Sequence, residues 1–214
     1  MIKYVLMDLD GTLTNSEEGI TKSFEYALSK FGIKVDSLES LRKFIGPPLY
    51  DSFVNGCGLS EEDSDLATKY YRERYEKVGK YENTPYAGIK ESLAKLKNAG
   101  KVLIVATSKP ENLAVDILHH FGLAEYFTDI CGAASDKTRS TKDEVIKYAM
   151  KKNGVVKEET IMVGDRCYDI EGAKMNGLYS MGVLYGFGNK EEFEREGADF
   201  IAETTADVAD IILK

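Results

Sequence analysis

Two aspartates, Asp8 and Asp10, directly follow an apolar stretch near the start of the chain, and Gly11 and Thr12 come next. Residues i and i+2 of an extended backbone point to the same side, so both carboxylates are predicted to face one space. A rigidly held carboxylate can act as a nucleophile towards phosphorus, and a second one beside it can act as general acid and base. Short acidic motifs are common in loops, so this interpretation depends on what else the fold brings to the same place.

Other polar residues end or follow later apolar runs. Thr107 and Ser108 end the run that begins at residue 101, Asp165 follows "TIMVG", and Asp169 comes four residues later. Lys142 opens a helical pattern before the Asp165 run. In an open parallel sheet, ligands bind at the carboxyl ends of the strands. We therefore expect all of these side chains at one edge of one sheet.

Four carboxylates close together would repel each other unless a cation lies between them. Oxygen ligands of this kind suit magnesium, which commonly binds one or two carboxylates together with a phosphate oxygen. The predicted metal ligands are Asp8, Asp10, Asp165 and Asp169. Backbone amides, hydroxyls and a lysine suit the phosphate. The predicted phosphate-binding residues are Gly11, Thr12, Thr107, Ser108 and Lys142.

The elements that position these residues alternate between strands and helices. Besides the first run, strand patterns cover residues 101–107, 160–165, 180–185 and 198–202, with a weaker one at 129–133. Helical patterns cover residues 89–99, 111–121, 141–151 and 169–176. Short apolar strands alternating with amphipathic helices predict an α/β fold with a doubly wound parallel sheet.

The alternation stops between residues 15 and 83, where helical patterns at 21–31, 37–44 and 61–77 have no convincing strand among them. We predict a small all-helical domain over residues 15–83, inserted into an α/β core formed by residues 1–14 and 84–214. Substrate selection is expected to depend on this insertion.

The chain has 214 residues, a net charge of -8 and 43% hydrophobic residues. The acidic balance argues against nucleic acid and against an anionic membrane surface as partners. No apolar run approaches the roughly 20 residues of a membrane span. Cys57, Cys131 and Cys167 match no disulfide or zinc spacing, which favours a reducing, cytoplasmic location.

Taken in order, these motifs resemble those of the haloacid dehalogenase (HAD) superfamily of phosphohydrolases, and the resemblance covers the whole chain. The segment "GVLYGFG", residues 182–188, belongs to it. The sequence looks most like the phosphoglycolate phosphatase branch with a helical cap. The resemblance implies a Rossmann-like core. It also implies that Asp8 is the nucleophile and a magnesium ligand, and that Asp10 is the acid/base, with its backbone carbonyl on the metal.

The remaining roles follow from the same resemblance. Thr107 and Ser108 match the phosphate-binding motif, Asp165 matches a direct metal ligand, and Asp169 matches an outer-shell or alternative ligand. Lys142 matches the lysine that holds the nucleophile and the phosphate together. Two rival lysines are Lys137 and Lys109. Lys142 is favoured because it precedes Asp165 by 23 residues (165 minus 142), a spacing typical of the family.

The expected function is therefore magnesium-dependent hydrolysis of a small phosphomonoester through an aspartyl-phosphate, most like that of a phosphoglycolate phosphatase. A nucleoside 5'-monophosphate phosphatase and a sugar-phosphate mutase are alternatives within the superfamily. Outside it, a phosphate-sensing or receiver-type binding protein would use similar residues without turnover. The expected assembly is a monomer or a homodimer.

Overall fold

The predicted apolar runs form strands in the computed structural model, which describes residues 1–134 and 138–214. The rival Lys137 lies outside the described residues. The strands are β1 (Tyr4–Met7), β2 (Thr14–Asn15), β3 (Thr84–Pro85), β4 (Val102–Pro110), β5 (Asp129–Ala133), β6 (Thr160–Gly164), β7 (Tyr179–Val183) and β8 (Phe200–Ala202).

Helices fill most of the sequence between the strands. The α-helices are α1 (Glu17–Ser29), α2 (Leu49–Asp51), α3 (Glu61–Lys77), α4 (Ile89–Asn98), α5 (Glu111–His120), α6 (Lys142–Asn153), α7 (Cys167–Met175), α8 (Lys190–Glu196) and α9 (Thr205–Ile212). Short 3-10 helices cover Leu38–Phe44, Gly79–Tyr81, Ala124–Tyr126 and Lys157–Glu159, and a π-helical turn covers Ser52–Gly56.

The chain divides into two compact units. One unit contains Met1–Asn15 and Pro85–Lys214, and the other contains Ser16–Thr84. The helical insertion predicted from the sequence spans residues 15–83. That the second unit acts as a cap over a substrate remains a prediction.

The first unit contains a parallel sheet of six strands in the order β5-β4-β1-β6-β7-β8. This confirms the predicted doubly wound α/β fold. From β1 the chain moves outwards to β4 and β5 on one side, and β6, β7 and β8 follow on the other. The strand order therefore reverses at β1 and β6, the kind of position at which such sheets bind ligands.

Both faces of the sheet are buried, as continuous apolar strands require. Val5 and Met7 face one layer, where they pack with residues of α4, α5 and α9. Leu6 faces the opposite layer, where it packs with Val145 and Ile146 of α6. These two cores hold β1 rigid up to its last residue, so the residue that follows it has a fixed position.

The second unit has its own core, built around Phe24 of α1. The Phe24 ring lies 5.0 Å from that of Phe44, 4.9 Å from Phe53 and 5.1 Å from Tyr71, measured between ring centroids. Arg74 forms an ion pair with Glu82 at 2.8 Å within the same unit. Aromatic packing thus explains the large side chains of this otherwise polar segment.

Two further features concern the cysteines and the length of the helices. All three cysteines are free thiols, and Cys131 is fully buried, which raises its pKa to about 12. Within the described ranges, none of the helices is both long enough and apolar enough to span a bilayer.

Candidate active site

The register of the sheet places Asp8 at the point where the strand order reverses. Met7 pairs with Val105 of β4 on one side and with Val163 of β6 on the other. The Asp8 amide continues the ladder by donating to the Val163 carbonyl at 2.9 Å. The Asp8 side chain therefore leaves the sheet at its carboxyl edge, as the sequence predicted.

Lys142 contacts two aspartates that are far apart in the sequence, Asp8 and Asp169. It is the first residue of α6, and its Nζ lies 2.9 Å from Asp8 Oδ1, 2.8 Å from Asp169 Oδ1 and 3.2 Å from the Ala106 carbonyl oxygen. The lysine is buried, with 7% of its surface exposed. Of the two candidate lysines that the structure describes, Lys142 is thus the one that contacts Asp8 and Asp169.

Three carboxylates form a cluster around this lysine. One oxygen from each of Asp8, Asp165 and Asp169 lies within 4.8 Å of the others. Asp165 and Asp169 are each only 1% exposed. Asp10, which was grouped with them from sequence, does not place its carboxylate in this set.

Burial and mutual repulsion perturb the titration of these groups. Burial, followed by the charges of Asp169 and Asp8, raises the pKa of Asp165 well above its usual value. Burial also raises the pKa of Asp169 to about 6, although Lys142 opposes this shift. Burial alone would lower the pKa of Lys142, but the attraction of Asp169 and Asp8 outweighs it and raises that pKa. The lysine is therefore a fixed positive charge.

Asp169 also has a structural role. It lies in the first turn of α7, and its Oδ2 accepts a hydrogen bond of 3.1 Å from the Arg166 amide. The helix begins at Cys167, two residues earlier than the pattern predicted, because this carboxylate caps it. A capping role and a place in the acidic cluster are combined in one side chain.

Asp165 is held by neutral groups. The Phe187 amide donates to its Oδ2 at 2.9 Å, and the Thr12 hydroxyl lies 3.5 Å from its Oδ1. At Gly11, φ is +77°, and a Cβ there would lie 2.0 Å from Asp165 Oδ2. Gly11 and Thr12, which were predicted to bind a phosphate, thus pack directly against Asp165, a candidate metal ligand.

Gly186 completes this packing, and sequence reasoning gave it no role. A Cβ at residue 186 would lie 2.3 Å from Asp165 Cβ and 2.4 Å from the Gly11 carbonyl oxygen. The signal available was the glycine-rich "GVLYGFG" segment. Residues 186 and 187 therefore support Asp165 from the loop after β7.

Gly186→Ala is expected to destabilise the protein by about 1–3 kcal/mol, since overpacking against backbone has this cost. It should also lower turnover, because Asp165 must move. Urea unfolding and phosphate release measure the two effects. The control is Gly154→Ala at the end of α6, where φ is +61° and nothing lies within 4 Å of an added Cβ. We expect that variant to lose about 1–2 kcal/mol and no activity. Equal activity losses in both would contradict the proposed role of Gly186.

Thr107 and Ser108 lie in an irregular part of β4. The pairing of β4 with β5 shifts register between Ala106 and Pro110, so both residues fall in this interval. Thr107 is 2% exposed, and its Oγ1 accepts a hydrogen bond of 3.2 Å from the Lys109 amide. Bulges often redirect side chains next to active sites. The predicted strand ended at Thr107, whereas β4 continues through the irregular segment.

Asp10 contacts the rival lysine Lys109. The distance between Asp10 Oδ2 and Lys109 Nζ is 2.5 Å. Lys109 is thus part of the site, but it contacts Asp10 and not the nucleophile candidate. Its pairing was not foreseen, because Asp10 and Lys109 are 99 residues apart in the chain.

The chemistry of the acidic cluster fits a divalent cation. One ammonium group faces two of the three carboxylates, and the third, Asp165, is held by the neutral donors described above. The cluster therefore retains negative charge after pairing, in an almost fully buried position. Buried charge is costly unless it is offset. Oxygen ligands at this spacing are of the type that magnesium prefers.

The fold and the position of the carboxylates and the buried lysine define a doubly wound α/β protein with a candidate ligand site at the carboxyl edge of its sheet. The chain belongs to the haloacid dehalogenase-like hydrolases, whose family model matches residues 5–183. The superfamily predicted from the motifs and the predicted phosphatase class of enzyme are both confirmed.

Several curated proteins resemble the chain over most of its length. A 5'-nucleotidase of Pseudomonas aeruginosa is 43% identical over 188 residues, which are 88% of this chain and 85% of the relative. The tyrosine-protein kinase PtkA of Mycobacterium tuberculosis is 38% identical over 95% of this chain and 67% of its own length. A phosphoglycolate phosphatase of Vibrio vulnificus is 30% identical over 99% of this chain and 96% of the relative.

A solved structure matches the fold closely. The crystal structure of a predicted phosphatase from Clostridium acetobutylicum has a TM-score of 0.96 and 47% identity. The match covers 100% of this chain and 99% of the other.

Proposed function

We propose that the protein is a magnesium-dependent phosphatase that hydrolyses small phosphomonoesters through a phosphorylated Asp8. The observation that carries this proposal is the double ion pair of Lys142 with Asp8 and Asp169, set within the three-carboxylate cluster. A cation and a buried ammonium group near the carboxyl end of β1 would stabilise the negative charge on a phosphoryl group during its transfer.

The contacts of Asp8 suit a nucleophile. Its Oδ1 accepts hydrogen bonds from the Leu9 amide at 2.8 Å and contacts Lys142. Within the described part of the chain, no hydrogen bond to Asp8 Oδ2 is found, so this oxygen is available to substrate or metal. Holding one oxygen fixes the plane of the carboxylate, and the attack geometry depends on that plane.

In the first step, Asp8 attacks phosphorus and the bond from phosphorus to the ester oxygen breaks. Asp10 gives its proton to the departing alkoxide. In the second step, Asp10 takes a proton from water, the water oxygen bonds to phosphorus, and the bond to Asp8 breaks. Phosphate and the original carboxylate result. Lys142 and the hydroxyls of Thr107 and Ser108 are proposed to hold the phosphoryl oxygens.

Magnesium would be held by Asp8 and Asp165, with Asp169 and the Asp10 backbone carbonyl as the other proposed contributors. When bound, it would neutralise developing charge on the phosphoryl oxygens. Asp165 is buried beside two other acids, which raises its pKa, and a bound cation would stabilise its charged form.

We expect magnesium to stabilise the folded protein by about 2.7 kcal/mol at a concentration 100 times its dissociation constant. Asp165→Asn should remove most of this gain, and it should stabilise the metal-free protein because it removes a buried like charge. Urea unfolding with magnesium or with a chelator measures both effects. Asp129→Asn is the matched control, since Asp129 is paired with Lys152 in the same unit. An equal magnesium effect in Asp165→Asn and the wild type would contradict this metal site.

The substrate is tested with a panel of phosphomonoesters and magnesium, read out by phosphate release. The panel includes phosphoglycolate, which the sequence motifs favoured, sugar phosphates and nucleoside 5'-monophosphates. The 43% identical relative is called a 5'-nucleotidase, and this supports nucleoside 5'-monophosphates as a second candidate. Absence of turnover with every ester would overturn the proposed function.

A further inference from the structure

The loop after β7 contacts the turn after β1 through the hydroxyl group of Tyr185. This hydroxyl donates a hydrogen bond of 3.1 Å to the carbonyl oxygen of Thr12. A carbonyl oxygen can only accept, so the phenol must be the donor. Strand β6 lies between β1 and β7 in the sheet, so the contact reaches across the strand that Asp165 follows.

The same loop also holds Asp165. The amide of Phe187 donates to Asp165 Oδ2 at 2.9 Å. Between these two contacts, Gly186 packs so closely that an added Cβ would lie 2.4 Å from the Gly11 carbonyl oxygen. Tyr185 therefore bonds to the turn after β1, and Phe187, two residues later, bonds to the acid. The loop fixes the turn and Asp165 relative to each other.

The ring of Tyr185 has a defined position. It packs against the core of the first unit and makes an edge contact with the ring of Tyr86, with 4.9 Å between the centroids and 64° between the planes. Aromatic pairs with this geometry are favourable beyond the area that they bury. The Tyr86 amide in turn donates to the Leu13 carbonyl oxygen at 3.1 Å. The hydroxyl of Tyr185 is thus presented to the turn from a ring that is held on its own account.

The proposed metal site uses both parts that this loop connects, namely Asp165 and the turn with the Asp10 backbone carbonyl. We infer that Tyr185 is a positioning residue that sets the affinity of this site for magnesium, because it holds the turn next to Asp165. Magnesium requires a near-ideal octahedral arrangement of oxygen ligands, so a small displacement of either part should weaken its binding. The inference rests on the proposed metal site, and it adds a residue that acts through Thr12 and not as a ligand.

Tyr185→Phe tests this role, because it removes the hydroxyl group and keeps the ring. We expect the dissociation constant for magnesium to rise about 10-fold, the lower end of the effect of removing a group that supports metal ligands. Isothermal titration calorimetry with magnesium alone measures this constant without substrate. In turnover assays, kcat should return to nearly the wild-type value at saturating magnesium, because Asp8 and Lys142 are unchanged.

Thr160→Val is the matched control. Thr160 is the first residue of β6, at the opposite end of the strand from Asp165, and its hydroxyl donates to the Val156 carbonyl oxygen at 2.6 Å. The variant loses one hydroxyl–carbonyl hydrogen bond of the same kind, but at the other edge of the sheet. Its magnesium affinity should equal that of the wild type. Thermal unfolding of both variants gives a temperature at which they are folded, and calorimetry is done there.

An unchanged dissociation constant for magnesium in Tyr185→Phe would overturn the inference. An equal rise in Tyr185→Phe and Thr160→Val would do the same, and so would a loss of kcat that saturating magnesium does not restore. A wild type that binds no magnesium would overturn it together with the metal site. Failure of the proposed phosphatase activity is a distinct outcome, in which the wild type releases no phosphate from any ester while calorimetry still reports metal binding.

Discussion

Asp8→Asn is expected to abolish turnover, with a loss in kcat of about 10⁶-fold, the scale found when the nucleophile of a covalent hydrolase is removed. Asparagine has the same shape but is a poor nucleophile towards phosphorus. Phosphate release with the most active ester and magnesium measures the loss. Mass spectrometry of acid-quenched wild type should detect a phosphoryl group on the chain, and the variant should show none.

The loss of turnover must be separated from a loss of folding. Asp8→Asn removes one partner of Lys142 but leaves Asp169 in contact with it, so the variant is expected to fold. Asp129→Asn is the control, since it replaces an aspartate at the start of β5 that pairs with a lysine away from the proposed site. It should retain activity. Turnover that persists in Asp8→Asn would contradict the covalent mechanism.

Lys142→Met is expected to have the largest effect on stability, a loss of about 3–5 kcal/mol in the free energy of unfolding. Removing the ammonium group leaves Asp8 and Asp169 uncompensated beside Asp165, in a place where water has little access. Activity should also be lost, because the variant cannot hold the nucleophile or the phosphoryl group. Urea unfolding in a chelator at pH 7 measures the first effect.

The stability deficit of Lys142→Met should depend on pH. In the wild type the pKa of Asp169 is already raised to about 6, and it should rise further without the lysine. A carboxyl group with a raised folded-state pKa binds its proton more tightly when folded, so stability increases as pH falls. We therefore expect the deficit to shrink between pH 7 and pH 5.

Two further variants make this prediction specific. Adding Asp169→Asn to Lys142→Met should recover much of the lost stability but none of the activity. The second substitution removes a buried charge, but it does not restore the ammonium group. Lys152→Met, whose side chain is 40% exposed, should cost no more than about 1 kcal/mol. Similar losses from Lys142→Met and Lys152→Met would contradict the buried role of Lys142.

The sequence predicted the sheet and much of the site for a common physical reason. Buried parallel strands need continuous apolar runs, so β1, β4 and β6 are visible in the sequence. Polar residues at the ends of such runs must then meet at one edge. Asp8, Asp165 and Asp169 do so, and Lys142 joins them from the helix before β6.

The sequence did not predict contacts between segments that are far apart in the chain, because no local pattern relates such segments. The pairing of Asp10 with Lys109 depends on the irregular part of β4, which a strand pattern does not show. The support of Asp165 by Gly186 and Phe187 depends on how the loop after β7 returns to the edge. The Asp10 carboxylate lies outside the three-carboxylate cluster, and the proposed contact of its backbone carbonyl with the metal stays a prediction.

The sequence by itself determined which residue types stand at the ends of the strands, because the hydrophobic pattern that marks each strand is a local property of the chain. Only the tertiary structure decided which lysine contacts which aspartate. Lys109 and Lys142 are equivalent in charge and length, but Lys109 lies within β4 and Lys142 is the first residue of α6. The irregular backbone of β4 directs one to Asp10, and the first turn of α6 directs the other to Asp8 and Asp169.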